Sequence, residues 1–586
     1  MCARIKSSIA MNSSFKYLVV GSLLLTACAQ VPKQVEPVAP AVSVEPQQVE
    51  VAPVLPNVEL TDELLYEYLL TEIASQRGHQ ALALEGSADL ARKTRDPRLA
   101  RRAAQLAVES GQMERAIDAF RQWQEVEPGA SVAGRMLSSI LLRGGKLGEA
   151  KQEYAKQLQA AGTDPGPVFI QVFQQLAPYA DKQAALQLMQ ELAQPYPQVA
   201  EARWSVAQLA QLAGDVALAL SEAKQARSLR PEWDTAVSLE AQLLLKNEPQ
   251  QGLEALRRYL VSYPDAREIR LQYARALLEQ KHYKPARDEF QRLAKDSPDN
   301  PDMAFAIALI SLQLKDFKGA EEQLRLSLGE GKKNQDRVQY YLGQLSEAKE
   351  SEEEALAHYR EVKDGEHRFA AQLRILYLLN KRDGLEPARA HLRQIRADNN
   401  QQRVQLLLIE AQLLREAQRN VDAYQVLQQG LEKLPNHPDL LYEAAMLADK
   451  NGKHDVAEQL LRKLIQLKPD HAHAYNALGY SLIERNERLD EALALVEKAL
   501  QLAPDDAAIM DSVGWGYYRS GRLDDSVNML RRAFAGNPDP EIASHLGEVL
   551  WVRGDKEEAR KVWQDTLKAH PDNALLQAVI KKFTTP

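Results

Sequence analysis

Few side chains in this 586-residue chain are of a type and spacing that could carry a reaction. The two cysteines, Cys2 and Cys28, both lie in the first 28 residues. The remainder therefore has no thiol for a disulfide, a thiolate metal site or a nucleophile. Cys28 closes the run Leu25-Thr26-Ala27-Cys28 behind an apolar stretch from Tyr17 to Leu25, which makes it a candidate for covalent modification at a processing site. His471 and His473 stand two apart near a helix start, point different ways and have no third ligand, so they form no metal pair. The run from Gly514 to Gly521 lacks the preceding strand of a nucleotide loop, and the two glycines after Arg143 belong to an inter-helix turn. No GxSxG, HExxH, phosphate-loop or CxxC motif is present. The expectation is a non-enzyme with no cofactor and no metal.

What the chain does carry is a repeat, clearest at residues 438–571. Its prolines Pro435, Pro469, Pro504, Pro538 and Pro571 lie 34, 35, 34 and 33 residues apart. Between them recur Gly479, Gly514 and Gly547, then Ala492, Ser526 and Ala559. A 34-residue unit holds two amphipathic helices and two short turns. A glycine inside the first helix costs about 1 kcal/mol relative to alanine. Close approach of the second helix, at the small residue facing it, would justify that cost. The proline ends the second helix, because it lacks a backbone donor and clashes with the preceding turn. This spacing identifies the segment as a tetratricopeptide (TPR) array.

The register continues upstream in degenerate form. Small residues at the second-helix crossing are expected at Ala81, Ala116, Ala150, Ala185, Ala219, Gly252, Ala286, Ala320, Ala355, Ala388 and Ala423. Further closing prolines are Pro128, Pro197, Pro231, Pro264 and Pro298. The expected fold is all-α, a TPR superhelical solenoid of about fifteen helix pairs over 61–573, followed by a capping helix and tail over 574–586. Thr61 reads as the N-cap of the first helix, with Leu64, Leu65, Tyr68 and Leu69 as its apolar face.

A solenoid of this kind offers a groove lined by the first helix of each pair. In the last repeats the register places Asn476 and Tyr480, then Asp511, Trp515, Tyr518 and Arg519, then His545 and Trp551 along it. Of these, Tyr480, Trp515, Tyr518, Arg519 and Trp551 are candidate protein-binding residues, since aromatics and arginine are common anchors. Packing of Trp515 and Trp551 against the neighbouring helix is the structural alternative. Arg98, Arg101 and Arg102, behind Arg92 and Arg95, form a second candidate patch for an acidic segment, or simply a solvated face. Tyr340 and Tyr341 are a further pair. The lysine–asparagine pattern that clamps a free C-terminal carboxylate is absent.

The ends and the charge bound the setting. A net charge of −8 argues against a nucleic-acid partner, which wants a basic face. Lys16 and the apolar run before Cys28 read as an export signal over 1–27, too short to span a membrane. The start is Met1 or Met11. Residues 28–60 hold Pro32, Pro37, Pro40, Pro46, Pro53 and Pro56 and read as a semi-extended linker, about 3.1 Å per residue where stretched.

"LTAC" resembles the bacterial lipobox, whose cysteine is acylated and becomes the mature N-terminus; an ordinary cleaved signal is the alternative. Several acyl chains would anchor stably where one is marginal. Ala29 in place of aspartate points to the outer membrane. From "LTAC" through the linker to the repeats after Thr61, the chain resembles the outer-membrane TPR adaptor lipoproteins of Gram-negative bacteria. That resemblance implies a lipid-anchored protein facing the periplasm, whose partners are a carboxyl-terminal processing protease and its substrates, peptidoglycan cross-link hydrolases. The alternative is an assembly factor for pili, polysaccharide export or outer-membrane biogenesis. A wall hydrolase is disfavoured by the missing catalytic groups.

Overall fold

The computed structural model describes residues 55–328 and 332–584. The expected export signal, Cys28 and the expected linker up to residue 54 lie outside the described residues. Among these, 31 helices occur and no strand. They form fifteen consecutive pairs and one terminal helix, in two compact units. Residues 55–327 hold eight pairs, from Asp62–Gln76 with Gln80–Thr94 to Pro301–Gln313 with Phe317–Leu326. Residues 328–584 hold seven, from Lys332–Ala348 with Glu352–Glu361 to Pro540–Arg553 with Lys556–Ala569. No described helix is long and apolar enough to cross a membrane.

The punctuation of the sequence becomes the punctuation of the fold. Second helices ending at Val126, Leu229, Ser262, Lys433, Leu467, Leu502, Gly536 and Ala569 each stop two residues before a closing proline. Alanines at the crossing are sealed: Ala116, Ala150, Ala185, Ala219, Ala286, Ala320, Ala355, Ala388 and Ala423 are all buried. Ala81 is the exception. It is exposed, and Ala83 fills the contact instead, because the terminal repeat slips by two residues against the register of the others.

The glycine expectation holds with a change of partner. A Cβ on Gly479 would stand 2.8 Å from the Ala492 carbonyl oxygen and 2.7 Å from Val496. At Gly514 it would meet Leu530 at 2.6 Å, and at Gly547 it would overlap the Trp563 indole. The close neighbour is thus mainly the large residue one turn beyond Ala492, Ser526 and Ala559. Ser526 contributes differently, donating its hydroxyl to the Gly514 carbonyl at 2.7 Å.

Two local departures stand out. Helices Gly166–Leu176 and Lys182–Ala193 pack chiefly on Ala200–Ala213 rather than on each other, with Phe173 edge-on to Trp204 at 5.1 Å. The first helix is capped by Thr61, whose hydroxyl accepts from the Leu64 amide at 3.3 Å. Its expected apolar face is nevertheless turned outward. Leu65, Tyr68 and Leu69 are exposed, and Thr71 and Ala74 are the buried pair. A terminal helix has a neighbour on one side only, and the small residues fit that contact.

Candidate functional site

First helices of consecutive repeats touch one another: Ala472–Glu484 with Ala507–Arg519, and that with Pro540–Arg553. Side chains one repeat apart therefore meet across this face. Asp506 caps the middle helix, accepting from the amides of Ala508 and Ile509 at 2.8 and 3.2 Å. Asp539 caps the next, accepting from Glu541 at 2.8 Å. These caps fix where each helix begins, and so the level at which its side chains stand.

The side chains interlock in a ladder. His545 Nδ1 lies 3.0 Å from both carboxylate oxygens of Asp511, 34 residues upstream. The His545 ring stacks on Trp515 at 4.2 Å between centroids and 19° between planes. Trp515 donates its indole N–H to Glu484 at 2.6 Å, and Tyr518 lies beside it at 4.9 Å. The Tyr518 hydroxyl reaches Glu548 at 3.4 Å, and Lys582 of the terminal helix Ala574–Thr584 pairs with Glu548 at 3.3 Å.

The electrostatics follow from burial and from those carboxylates. Burial alone would lower the His545 pKa. Asp511, then Glu541 and Glu484, outweigh it and raise the value above 6.5. The Tyr480 hydroxyl is pushed up first by burial and then by Glu484, Glu541 and Asp511. Burial and then Glu548 raise Tyr518. Carboxylates of three successive first helices thus act on one spot. Asn476, one turn ahead of Tyr480, is 1 % exposed, and among the described residues its Oδ1 has no hydrogen-bond partner.

The sequence candidates separate in space. Tyr480, Tyr518 and Arg519 are partly exposed on this face, while Trp515 is 8 % exposed and held by its ladder contacts. Trp551 faces elsewhere: it stacks on Trp563 at 5.8 Å and lies 6.3 Å from Phe583, with Arg560 and Lys556 over its ring. This is the packing alternative: Trp563, Lys556 and Arg560 lie on the second helix of the same repeat, and the terminal helix adds Phe583. Arg98 is engaged by Asp96 at 2.6 Å, Arg102 by the Ser75 hydroxyl at 2.9 Å, and Arg101 lies over Trp123 at 5.5 Å. Tyr340 and Tyr341 are 3 % and 4 % exposed. Tyr340 stacks on His367 at 4.7 Å, so this pair belongs to the repeat junction.

Glu484 and Glu541 escaped the sequence reading. Glu484 closes its helix and Glu541 opens another, so they hold different repeat positions and no periodic signal pointed to them. Among the described residues no cluster of three or more His, Cys, Asp or Glu could hold a metal ion. The arrangement can bind and orient a chain; it places no nucleophile beside a base.

Comparison with known proteins agrees with this architecture. Tetratricopeptide repeat models match residues 442–507, 514–574 and 243–310. The chain is 33% identical over 543 residues to the TPR repeat-containing protein PA4667 of Pseudomonas aeruginosa, covering 92% of this chain and 91% of that one. Among solved structures it is similar to a thermophilic TPR protein of Thermus thermophilus (25% identity, 30% of this chain and 95% of that chain, TM-score 0.28). It is also similar to MamA of Desulfovibrio magneticus (20% identity, 29% and 96%, TM-score 0.26).

Proposed function

The chain belongs to the tetratricopeptide repeat proteins, and on that premise we propose that it is a non-catalytic adaptor lipoprotein. In this reading Cys28 carries the lipid, the body faces the periplasm from the outer membrane, and the repeats hold a carboxyl-terminal processing protease together with its substrates, peptidoglycan cross-link hydrolases. The leader, linker and repeat body resemble those of LbcA of Pseudomonas, which supports this choice of partners. The observation that carries the adaptor reading is the ladder from Glu484 through Trp515 to His545, a polar and aromatic face continuous over three repeats. Such a face adds no catalytic group. Its effect is to raise the local concentration of one partner around the other.

The test is recovery of partners from a tagged, detergent-solubilised chain, beside Trp515→Ala, with mass spectrometry of what co-purifies. A periplasmic processing protease and wall hydrolases are expected with the wild type, and loss of one of them in the variant. Recovery of pilus, polysaccharide-export or barrel-assembly components without a protease would sink the reading.

A further inference from the structure

We propose that the exposed face of the first helix, Asp62–Gln76, docks a second copy of this chain. The two helices pack antiparallel about a twofold axis passing between Leu69 and Leu70. This goes beyond the adaptor reading and does not depend on it.

The face is apolar where a surface helix is ordinarily polar. On the inner side Thr71 and Ala74 are buried, and a Cβ on Gly86 of helix Gln80–Thr94 would overlap the Thr71 hydroxyl. Glu67 pairs with Lys93, and Ser75 accepts from Arg102. At about 100° per residue, Leu65, Tyr66, Leu69, Leu70 and Ile73 fall on the other side, in one arc of about 140°. All five are exposed, Tyr66 most at 67 %. A stripe of that width is what a helix ordinarily turns to a core, and contiguous exposed apolar surface marks an interaction site.

What covers the stripe is read from its ends. Asp62 lies in the first turn and Arg77 directly follows the last. Both are exposed, and among the described residues neither side chain has an ion-pair partner. Turned antiparallel about a point between residues 69 and 70, the helix presents Leu69 to Leu70 of its copy, Tyr66 to Ile73 and Asp62 to Arg77. Each contact occurs twice. The stripe thus complements itself in charge as well as in apolar surface, as an isologous interface requires. The same turn sets each helix N-terminus beside the other's C-terminus, the favourable arrangement of the macrodipoles. A specific interface buries about 1,000 Å² or more in all, and five large side chains from each copy supply an area of that order. A membrane surface fits less well. Interfacial helices carry Lys or Arg on the polar face, whereas this one carries Asp62, Glu63, Glu67 and Glu72 and no basic residue before Arg77.

The experiment is sedimentation equilibrium of the purified full chain in density-matched detergent over a range of concentrations. A monomer–dimer equilibrium is expected. Leu69→Glu/Ile73→Glu, at two exposed positions, should leave only monomer. Asp62→Arg and Arg77→Asp should each raise the dimer dissociation constant at least tenfold, because either one creates two like-charge pairs. The double exchange Asp62→Arg/Arg77→Asp should return it to within threefold of wild type. Val261→Glu, exposed on helix Pro249–Ser262, should change nothing, and thermal melts verify that all variants fold. Wild type that stays monomeric throughout would overturn the proposal, as would a dimer indifferent to Leu69→Glu/Ile73→Glu. Loss in both single exchanges without recovery in the double one would overturn the antiparallel pairing, and with it the proposal. A monomer that floats with phosphatidylglycerol vesicles, or whose Leu69→Glu/Ile73→Glu form drops a co-purifying protein, would assign the face to a membrane or to another protein instead.

Discussion

At the scale of single residues, close packing decides which types are tolerated. Gly547 lies so near Trp563, a fully buried side chain, that a methyl group would occupy the indole's place. Overpacking of this kind costs about 1–3 kcal/mol, against a gain of about 1 kcal/mol in helix propensity. Gly547→Ala should therefore lower the urea midpoint of the C-terminal repeats. Gly148→Ala, where a Cβ meets nothing within 4 Å, should leave stability unchanged or raise it by up to about 1 kcal/mol. His545 gives a second prediction at this scale. Its folded pKa is raised above 6.5 by Asp511, Glu541 and Glu484 against the pull of burial. The stabilisation is therefore complete below pH 6.5 and is lost as pH rises through the folded value. The Tm difference between wild type and His545→Gln should be largest near pH 6 and shrink towards pH 9. A difference that grows with pH would contradict this assignment of charge.

At the scale of helices, the array is stabilised only where both faces of a pair are covered, so its last element matters most. Helix Ala574–Thr584 buries Leu576 completely and brings Phe583 to 6.0 Å from Trp563 and 6.3 Å from Trp551. Leu576→Ala should cost about 2–5 kcal/mol by the usual cavity penalty. Removing residues 574–586 should expose both tryptophans, seen as a red shift of their emission, and promote aggregation, as expected for a solenoid without its cap. Helices were legible from the sequence because alanine, glycine and proline recur at one period, and the period is a property of local geometry. The site was legible in part. The 34-residue interval between Asp511 and His545 already says that they meet, since first helices stack in register. Trp551 was misleading, because its repeat position matches a groove residue while its ring packs on Trp563 in the second helix of its own repeat and on Phe583 of the terminal helix. Ala81, Leu65 and Leu69 misled for the related reason that an end repeat lacks one neighbour.

At the scale of the whole molecule, an array in which each repeat touches only its neighbours has no single centre at which chemistry is concentrated. In the proposed adaptor reading its action comes from holding two partners at once, and that has a quantitative signature. Two partners bound to one scaffold react as if intramolecular, at an effective concentration set by the scaffold. Adding scaffold first raises the number of ternary complexes. Beyond the concentration of the scarcer partner, protease and substrate are distributed onto different copies and the number falls. With purified processing protease and a cross-link hydrolase at fixed concentrations, the rate of hydrolase cleavage should pass through a maximum as the adaptor is titrated. The maximum should move in proportion to the limiting partner, and Trp515→Ala should flatten it if that ladder binds either protein. A rate that rises to a plateau and stays there would instead mean that the chain activates the protease allosterically, because an activator in excess does not separate enzyme from substrate. The shape of one titration curve thus distinguishes proximity from activation without knowledge of which repeat holds which partner.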